Sequence, residues 1–135
     1  VPPNVHLIGL MNTADRSLAL IDYALRRRFA FYEMKPAFDS DGFKKIIEEH
    51  NDTKFPKLIN AVKDLNETIS KDDNLGDGFR IGHSYFCPDD TIDTKDIDDW
   101  LKTVIEFELL PLLSEYWFDE KKKINEWKEK LDSVL

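Results

Sequence analysis

Two short apolar segments near the start of the chain constrain its fold most strongly. Residues 5–11 form a nearly continuous apolar run that follows a Pro-Pro-Asn breaker and precedes the polar residues 12–15. A segment that is apolar on both faces is typical of a central parallel strand covered by helices. Residues 29–34 predict a second strand ended by Pro36, and residues 17–27 predict a helix between the two. Strand, helix and strand make one crossover unit of a parallel α/β sheet.

A sheet of only two strands does not form a stable core. We therefore expect residues 1–36 to be the end of a larger parallel sheet whose other strands lie upstream. The chain starts with Val-Pro-Pro-Asn instead of an initiator Met, so we expect it to be part of a longer protein. On its own, it is expected to self-associate through residues 1–36 or to leave them disordered.

The apolar pattern changes to helical spacing after Pro36. Apolar residues recur at helical intervals in four segments, and these predict helices near residues 43–50, 55–69, 97–104 and 124–134. We expect residues 72–78 to form a loop, and Pro111 to kink or end the third helix. The sequence thus predicts an α/β fragment over 1–36 and an all-helical bundle of about four helices over 37–135. In this bundle Trp100 and Trp127 are core candidates, while Trp117 fits either the core or a contact with a neighbouring subunit.

Charge and composition exclude several classes of function. The chain has a net charge of −8, to which residues 1–36 contribute +2 and the remaining residues −10. Because negative charge repels the phosphates of DNA, the chain is a poor candidate for binding the DNA backbone. No apolar run approaches the roughly 20 residues of a membrane span. With one cysteine, Cys87, a cytoplasmic setting is the default expectation. The single cysteine excludes an internal disulfide, and the three histidines lack metal-ligand spacing.

Asn12 follows the first predicted strand, at the edge of the sheet where open α/β folds bind ligands. An asparagine at this place can orient a water molecule beside a phosphate without adding negative charge. The residues that follow Asn12 fit a simple capped turn equally well.

Arg26, Arg27 and Arg28 form a concentrated basic site and lie between the predicted helix and the second strand. An arginine delivered from a neighbouring subunit can neutralise the charge that develops during phosphoryl transfer. The alternative is a solvated basic helix end that complements the helix dipole.

Four blocks of sequence, in the same order, resemble the McrB family of AAA+ GTPases. The first two contain Met11 to Ser17 and Asp22 to Phe29, and the other two contain Ile81 to Phe86 and Leu110 to Tyr116. The resemblance runs from about residue 1 to about residue 118. It implies that residues 1–36 end an AAA+ (P-loop NTPase) parallel sheet and that residues 37–135 form the helical AAA+ lid.

The resemblance also implies roles for single residues. Asn12 matches the sensor 1 position, which reads the terminal phosphate, and residues 12–15 match a tetrapeptide compared with the guanine-reading motif of small GTPases. Arg27 and Arg28 match the arginine-finger region that reaches into the next subunit's nucleotide site. The remaining matched positions lie near the subunit interface or on the lid surface facing the nucleotide: Asp15, Arg16, Asp22, His83 and Ser84.

The chain departs from the AAA+ pattern at two points. The stretch that corresponds to the sensor 2 arginine is Gly82-His83-Ser84, although Arg80 is close enough to be a substitute. No phosphate-binding loop of the form G-x-x-x-x-G-K-[ST] is present, so we expect this chain alone to bind no nucleotide and to be inactive.

The function implied for the full-length protein is a GTPase motor subunit of a 5-methylcytosine-specific restriction endonuclease. GTP, or alternatively ATP, and Mg²⁺ would be its cofactors. Identical subunits in a ring and a nuclease subunit of the McrC type would be its partners, and upstream regions would contact the DNA. Two alternatives stay open: an ATP-dependent remodelling or chelatase-type motor of the same clade, and a helical interaction module without catalytic function.

Overall fold

In a computed structural model of the chain, the structure describes residues 2–12, 27–50, 52–89, 92 and 96–135. The chain divides into two compact units, Val1–Glu33 and Met34–Leu135. All helices of the described residues belong to the second unit. None of these helices combines the length and apolar character that crossing a membrane requires.

The second unit is a helical bundle, as the apolar spacing predicted. Its five α-helices are α1 (Asp41–His50), α2 (Lys54–Ser70), α3 (Ile97–Val104), α4 (Leu110–Tyr116) and α5 (Lys121–Asp132). A π-helical segment, Ile105–Leu109, joins α3 to α4, and two 3₁₀ turns, Asp77–Phe79 and His83–Phe86, lie between α2 and α3.

Helix α2 is the central helix of the bundle. Asp52 caps its start, because the Asp52 carboxylate accepts hydrogen bonds from the backbone N–H groups of Lys54 and Phe55 at 2.6 and 2.7 Å. The predicted apolar face of α2 is buried against α3, α5 and the Asp77–Phe79 turn. Trp117 belongs to the same core with 2% of its surface exposed, while Trp100 and Trp127 pack against the core and are partly buried.

Pro111 was predicted either to kink or to end the third helix, and it does not end it. The helical run continues from Ile97 to Tyr116, but it widens to a π-helix over Ile105–Leu109 immediately before the proline. A proline ring clashes with the carbonyl four residues earlier and leaves it without a donor, so a wide turn at this place accommodates both effects. The predicted single helix is therefore divided into α3 and α4.

The strands predicted at residues 5–11 and 29–34 do not form within the described part of the chain. Side chains there are exposed: Ile8 by 90%, Leu10 by 91% and Tyr32 by 89%. A strand needs a neighbour that satisfies its N–H and C=O groups, and no described residue supplies one. The helix predicted over 17–27 lies outside the described residues apart from Arg27, so the α/β part of the fold stays a prediction.

A latch of three side chains holds the loop that follows α2 against the C-terminal helices. The Asp72 carboxylate accepts hydrogen bonds from Trp117 Nε1 at 2.8 Å and from Lys123 Nζ at 2.9 Å, while its other oxygen accepts the Asn74 N–H at 2.9 Å. The Lys123 ammonium also lies 4.2 Å from the centre of the Trp117 ring. These donors lower the pKa of Asp72 from 3.8 to about 2, with Lys123 as the largest cause.

The latch predicts an acid-dependent loss of stability that Asp72→Asn should abolish. Because the folded state lowers the pKa of Asp72, its stabilisation is complete above pH 4 and is lost as the pH falls towards 2. The contribution is at most about 2 kcal/mol, since Lys123 remains partly accessible to water. Urea unfolding should give a difference between wild type and Asp72→Asn that shrinks to near zero by pH 2. Asp73→Asn, at the exposed neighbouring position, is the control, and an equal effect there would contradict the latch.

Candidate functional site

Three of the predicted catalytic residues lie in the first unit and are exposed. Asn12 ends the described segment 2–12, and Arg27 and Arg28 lie in a turn at the start of the next described segment. All three residues are exposed. The predicted interface residues Asp15, Arg16 and Asp22 lie outside the described residues.

His83 and Ser84 occupy the second 3₁₀ turn of the second unit. His83 Nδ1 accepts a hydrogen bond from the backbone N–H of Ala37 at 3.2 Å. The imidazole ring also meets Phe38 and Phe43 edge to face, with centroid distances of 6.3 and 5.8 Å. His83 therefore fastens the beginning of the second unit to this turn.

This geometry limits what His83 can offer a ligand. With Nδ1 acting as an acceptor, Nε2 is the ring nitrogen left to act as a donor. The Nε2–H group and the exposed Ser84 hydroxyl are then the donors that the turn presents. Both are neutral hydrogen-bonding groups, and they are suited to ligand oxygens more than to a strong ion pair.

Asn66 fixes the segment that leads into this turn. It is a buried polar residue, 6% exposed, and its side chain pairs with both backbone groups of Ile81. Asn66 Nδ2 donates to the Ile81 carbonyl at 2.9 Å, and the Ile81 N–H donates to Asn66 Oδ1 at 2.6 Å. The Asn66 amide thus satisfies both backbone groups of Ile81, as a neighbouring strand would. These two hydrogen bonds hold the segment from Arg80 to Ser84 against α2.

Asn66→Leu should destabilise the second unit by about 2 kcal/mol or more. Leucine has the same branched shape and number of heavy atoms as asparagine, although its methyl groups are bulkier, and it leaves the N–H and C=O of Ile81 buried without partners, at about 1–3 kcal/mol for each group. Thermal and urea unfolding followed by circular dichroism would measure the loss. Asn60→Leu, at an exposed position of the same helix, is the matched control. Equal stabilities of the two variants would show that the pairing with Ile81 contributes nothing.

Arg80, which is close enough to Gly82 in the sequence to substitute for a sensor 2 arginine, is held by Asp77 of the first 3₁₀ turn. Arg80 Nε donates to the Asp77 carbonyl at 3.3 Å, and the guanidinium lies 3.4 Å from the Asp77 carboxylate. Its side chain is 22% exposed and borders a shallow groove of about 220 Å³. Both positively and negatively charged residues line this groove. The groove is lined by Pro36, Phe38, Asp39, Lys63, Asn66, Glu67, Ser70 and Arg80.

The described residues do not offer a metal site. No group of three His, Cys, Asp or Glu side chains within them is arranged to hold a metal ion. The carboxylates around the groove instead meet cations of the protein, as Asp39 does with Lys63 at 2.7 Å. This ion pair lowers the pKa of Asp39 and keeps it charged. The described residues consequently do not fit Mg²⁺.

Comparison with known proteins shows which family and which curated protein this chain is similar to. The family described as "McrB, alpha-helical lid domain" matches residues 57–125, from the first turn of α2 into α5. A curated protein from Escherichia coli (strain K12), the type IV methyl-directed restriction enzyme EcoKMcrB subunit, is 46% identical over 134 residues. The match covers 97% of this chain but 29% of that relative, so the chain spans less than a third of its length.

Proposed function

Because this chain belongs to the McrB family and carries its helical lid, we propose that it is the C-terminal part of a GTP-hydrolysing AAA+ motor subunit. The motor would serve a modification-dependent, 5-methylcytosine-specific DNA restriction endonuclease. One observation carries the proposal: the match, 46% identical, extends over 97% of the chain and so spans the segments that contain Asn12 and the arginines as well as the lid.

In this proposal the chain contributes to two nucleotide sites of a ring of identical subunits. Asn12 orients the attacking water in its own subunit's site, while His83 and Ser84 of the lid face the nucleotide. Arg27 and Arg28 reach into the site of the next subunit, with Asp15, Arg16 and Asp22 at the interface between them.

The catalytic contributions follow from charge. Phosphoryl transfer spreads negative charge over the transferred group, and a guanidinium with several fixed donors stabilises that charge. Asn12 acts differently, because its neutral amide positions a water molecule without repelling the phosphates. The phosphate-binding loop and the ligands of Mg²⁺ are assigned to the preceding part of the protein. That part would also read methylated DNA, and a nuclease subunit of the McrC type would be the partner in the cytoplasm.

Asn12→Ala in the full-length protein tests the proposed site. Hydrolysis of GTP should fall by about 10²-fold, while the affinity for a non-hydrolysable GTP analogue changes little. The reason is that a group which positions water acts mainly in the transition state. Single-turnover hydrolysis and equilibrium binding of the labelled analogue measure the two effects separately.

The control for Asn12 is Asn4→Ala, at another exposed position of the first unit. Equal losses of binding and hydrolysis in Asn12→Ala, together with a changed circular dichroism spectrum, would instead support a turn-capping role. The same assays with ATP distinguish the proposal from an ATP-driven motor. A protein that binds and hydrolyses ATP in preference to GTP would overturn the proposed base specificity.

A further inference from the structure

The run from α3 through the π-helical segment to α4 has one side that the bundle does not use. Its buried residues recur at four-residue intervals, and they are Leu101, Ile105, Leu109, Leu113 and Trp117. Phe107 and Pro111 are each two residues away from this row, which places them on the opposite side of the helix. Phe107 is 67% exposed, and Phe118, just after α4, is 77% exposed.

The backbone presents Phe107 to solvent in an unusual way. Phe107 is the central residue of the π-helical segment Ile105–Leu109, a conformation that occurs frequently at functional sites. Pro111 accounts for the wide turn, but it does not account for a large aromatic side chain at the position furthest from the core. Within the second unit, this phenylalanine contributes little burial that would stabilise the fold.

Acidic residues predominate in the sequence around Phe107 and Phe118, although Lys121, Lys122 and Lys123 follow directly. Residues 105–120 contain five acidic residues and no lysine or arginine. The five acidic residues are all exposed, and they are Glu106, Glu108, Glu115, Asp119 and Glu120. Lys123 pairs with Glu120 at 3.6 Å, and Glu106 contributes to the raised pKa of Lys128. Among the described residues, the ion pairs do not include Glu108 or Glu115, which lie beside Phe107 and one turn after Pro111. We call the surface made of Phe107, Glu108, Pro111 and Glu115 the acidic aromatic face.

We propose that the acidic aromatic face docks a basic segment of another protein, one that carries lysine or arginine on both sides of a large apolar side chain. The apolar residue would cover Phe107 and Pro111, and its basic neighbours would meet the surrounding carboxylates. The net charge of −10 on residues 37–135 disfavours a second copy of the helical unit as the partner. Nucleic acid is excluded by the same charge. This inference goes beyond the proposed function and does not depend on it.

A random peptide library displayed on phage, selected against the immobilised 135-residue chain, tests the proposal without assuming a partner sequence. Selected peptides should combine a net positive charge with an aromatic or large aliphatic residue. Their affinity, measured by fluorescence anisotropy, should fall at least about tenfold for Phe107→Ser and for the double variant Glu108→Lys, Glu115→Lys. Added salt should weaken binding to the wild-type chain.

The matched control is Glu48→Lys, which reverses an exposed acidic residue on α1 and should leave peptide affinity unchanged. All substituted side chains are exposed, so each variant should unfold at the wild-type temperature. An equal loss in Glu48→Lys would reveal attraction to net charge only and would overturn the proposal. Selection of uncharged peptides, or retention of full affinity by Phe107→Ser, would overturn it as well.

Discussion

Replacing both Arg27 and Arg28 with alanine in the full-length protein should lower GTP hydrolysis by about 10³-fold or more and leave nucleotide binding nearly intact. The expected loss is large because the guanidinium groups meet charge that develops only in the transition state. Ground-state GTP is held mainly by other parts of the protein in this proposal. Steady-state hydrolysis and binding of a labelled GTP analogue measure the two quantities.

Two further variants make this result specific to arginine. Lys35→Ala removes an exposed positive charge close by in sequence and should hydrolyse GTP normally. Lysine at positions 27 and 28 preserves the charge but not the planar donor arrangement, so it should restore only part of the activity. Normal hydrolysis by the double alanine variant would refute the arginine-finger role and favour the solvated helix end.

Trp117→Ala should destabilise the helical unit by about 3–5 kcal/mol, the cost of truncating a fully packed aromatic side chain. Trp117 is 2% exposed, and its Nε1–H donates to Asp72 at 2.8 Å. The alanine variant loses packing and the hydrogen bond together and leaves the Asp72 carboxylate with one side-chain donor fewer. Urea unfolding followed by circular dichroism would measure the difference from wild type.

Trp117→Phe separates the two contributions, since it keeps most of the packing and removes only the donor. We expect a smaller loss of about 1–3 kcal/mol, which should largely disappear when Asp72 is already asparagine. Trp127→Phe, at a half-buried tryptophan of α5, is the control. If the losses in the free energy of unfolding caused by Trp117→Phe and Asp72→Asn simply add in the double variant, the latch is contradicted. Substitutions at independent sites have additive effects, whereas those at interacting sites do not.

The apolar spacing was sufficient to predict most of the helical unit. The buried face of α2, from Phe55 to Ile69, consists of the residues that recur at helical intervals in the sequence. The proline in the sequence predicted that the helical run would be interrupted near Pro111, but it did not predict a π-helical segment there. The sequence shows that proline cannot continue a regular helix, whereas the choice between a break and a π-helical turn depends on packing on both sides of it.

The contacts that position the candidate site were not predictable from local patterns. Asn66 is 15 residues from its partner Ile81, and Asp72 is 45 residues from Trp117. Only the placement of Asn66 on an otherwise apolar helix face hinted that a buried polar partner was needed. His83 was predicted to face a ligand, but its use of Nδ1 to bind the Ala37 N–H depends on a contact across 46 residues.

Residues 5–11 have a strand pattern in the sequence but do not form a strand in the described structure. Their pattern indicates burial on two faces, yet Ile8 and Leu10 are almost fully exposed in the described structure. A strand pattern specifies what a segment can pair with, but the pairing itself needs a second strand. The roles of Asn12, Arg27 and Arg28 depend on the same larger assembly, so they remain proposals.

Mixing two inactive variants of the full-length protein tests most directly whether adjacent subunits share each nucleotide site. One variant carries Asn12→Ala and the other carries Arg27→Ala with Arg28→Ala. In mixed rings, some sites combine an intact Asn12 from one subunit with intact arginines from the next, about a quarter of them for equal, random mixing. We therefore predict that GTP hydrolysis recovers well above the level of either variant alone, to about a quarter of wild type. Activity that stays at the average of the two separate variants, in rings shown to have exchanged subunits, would contradict the account.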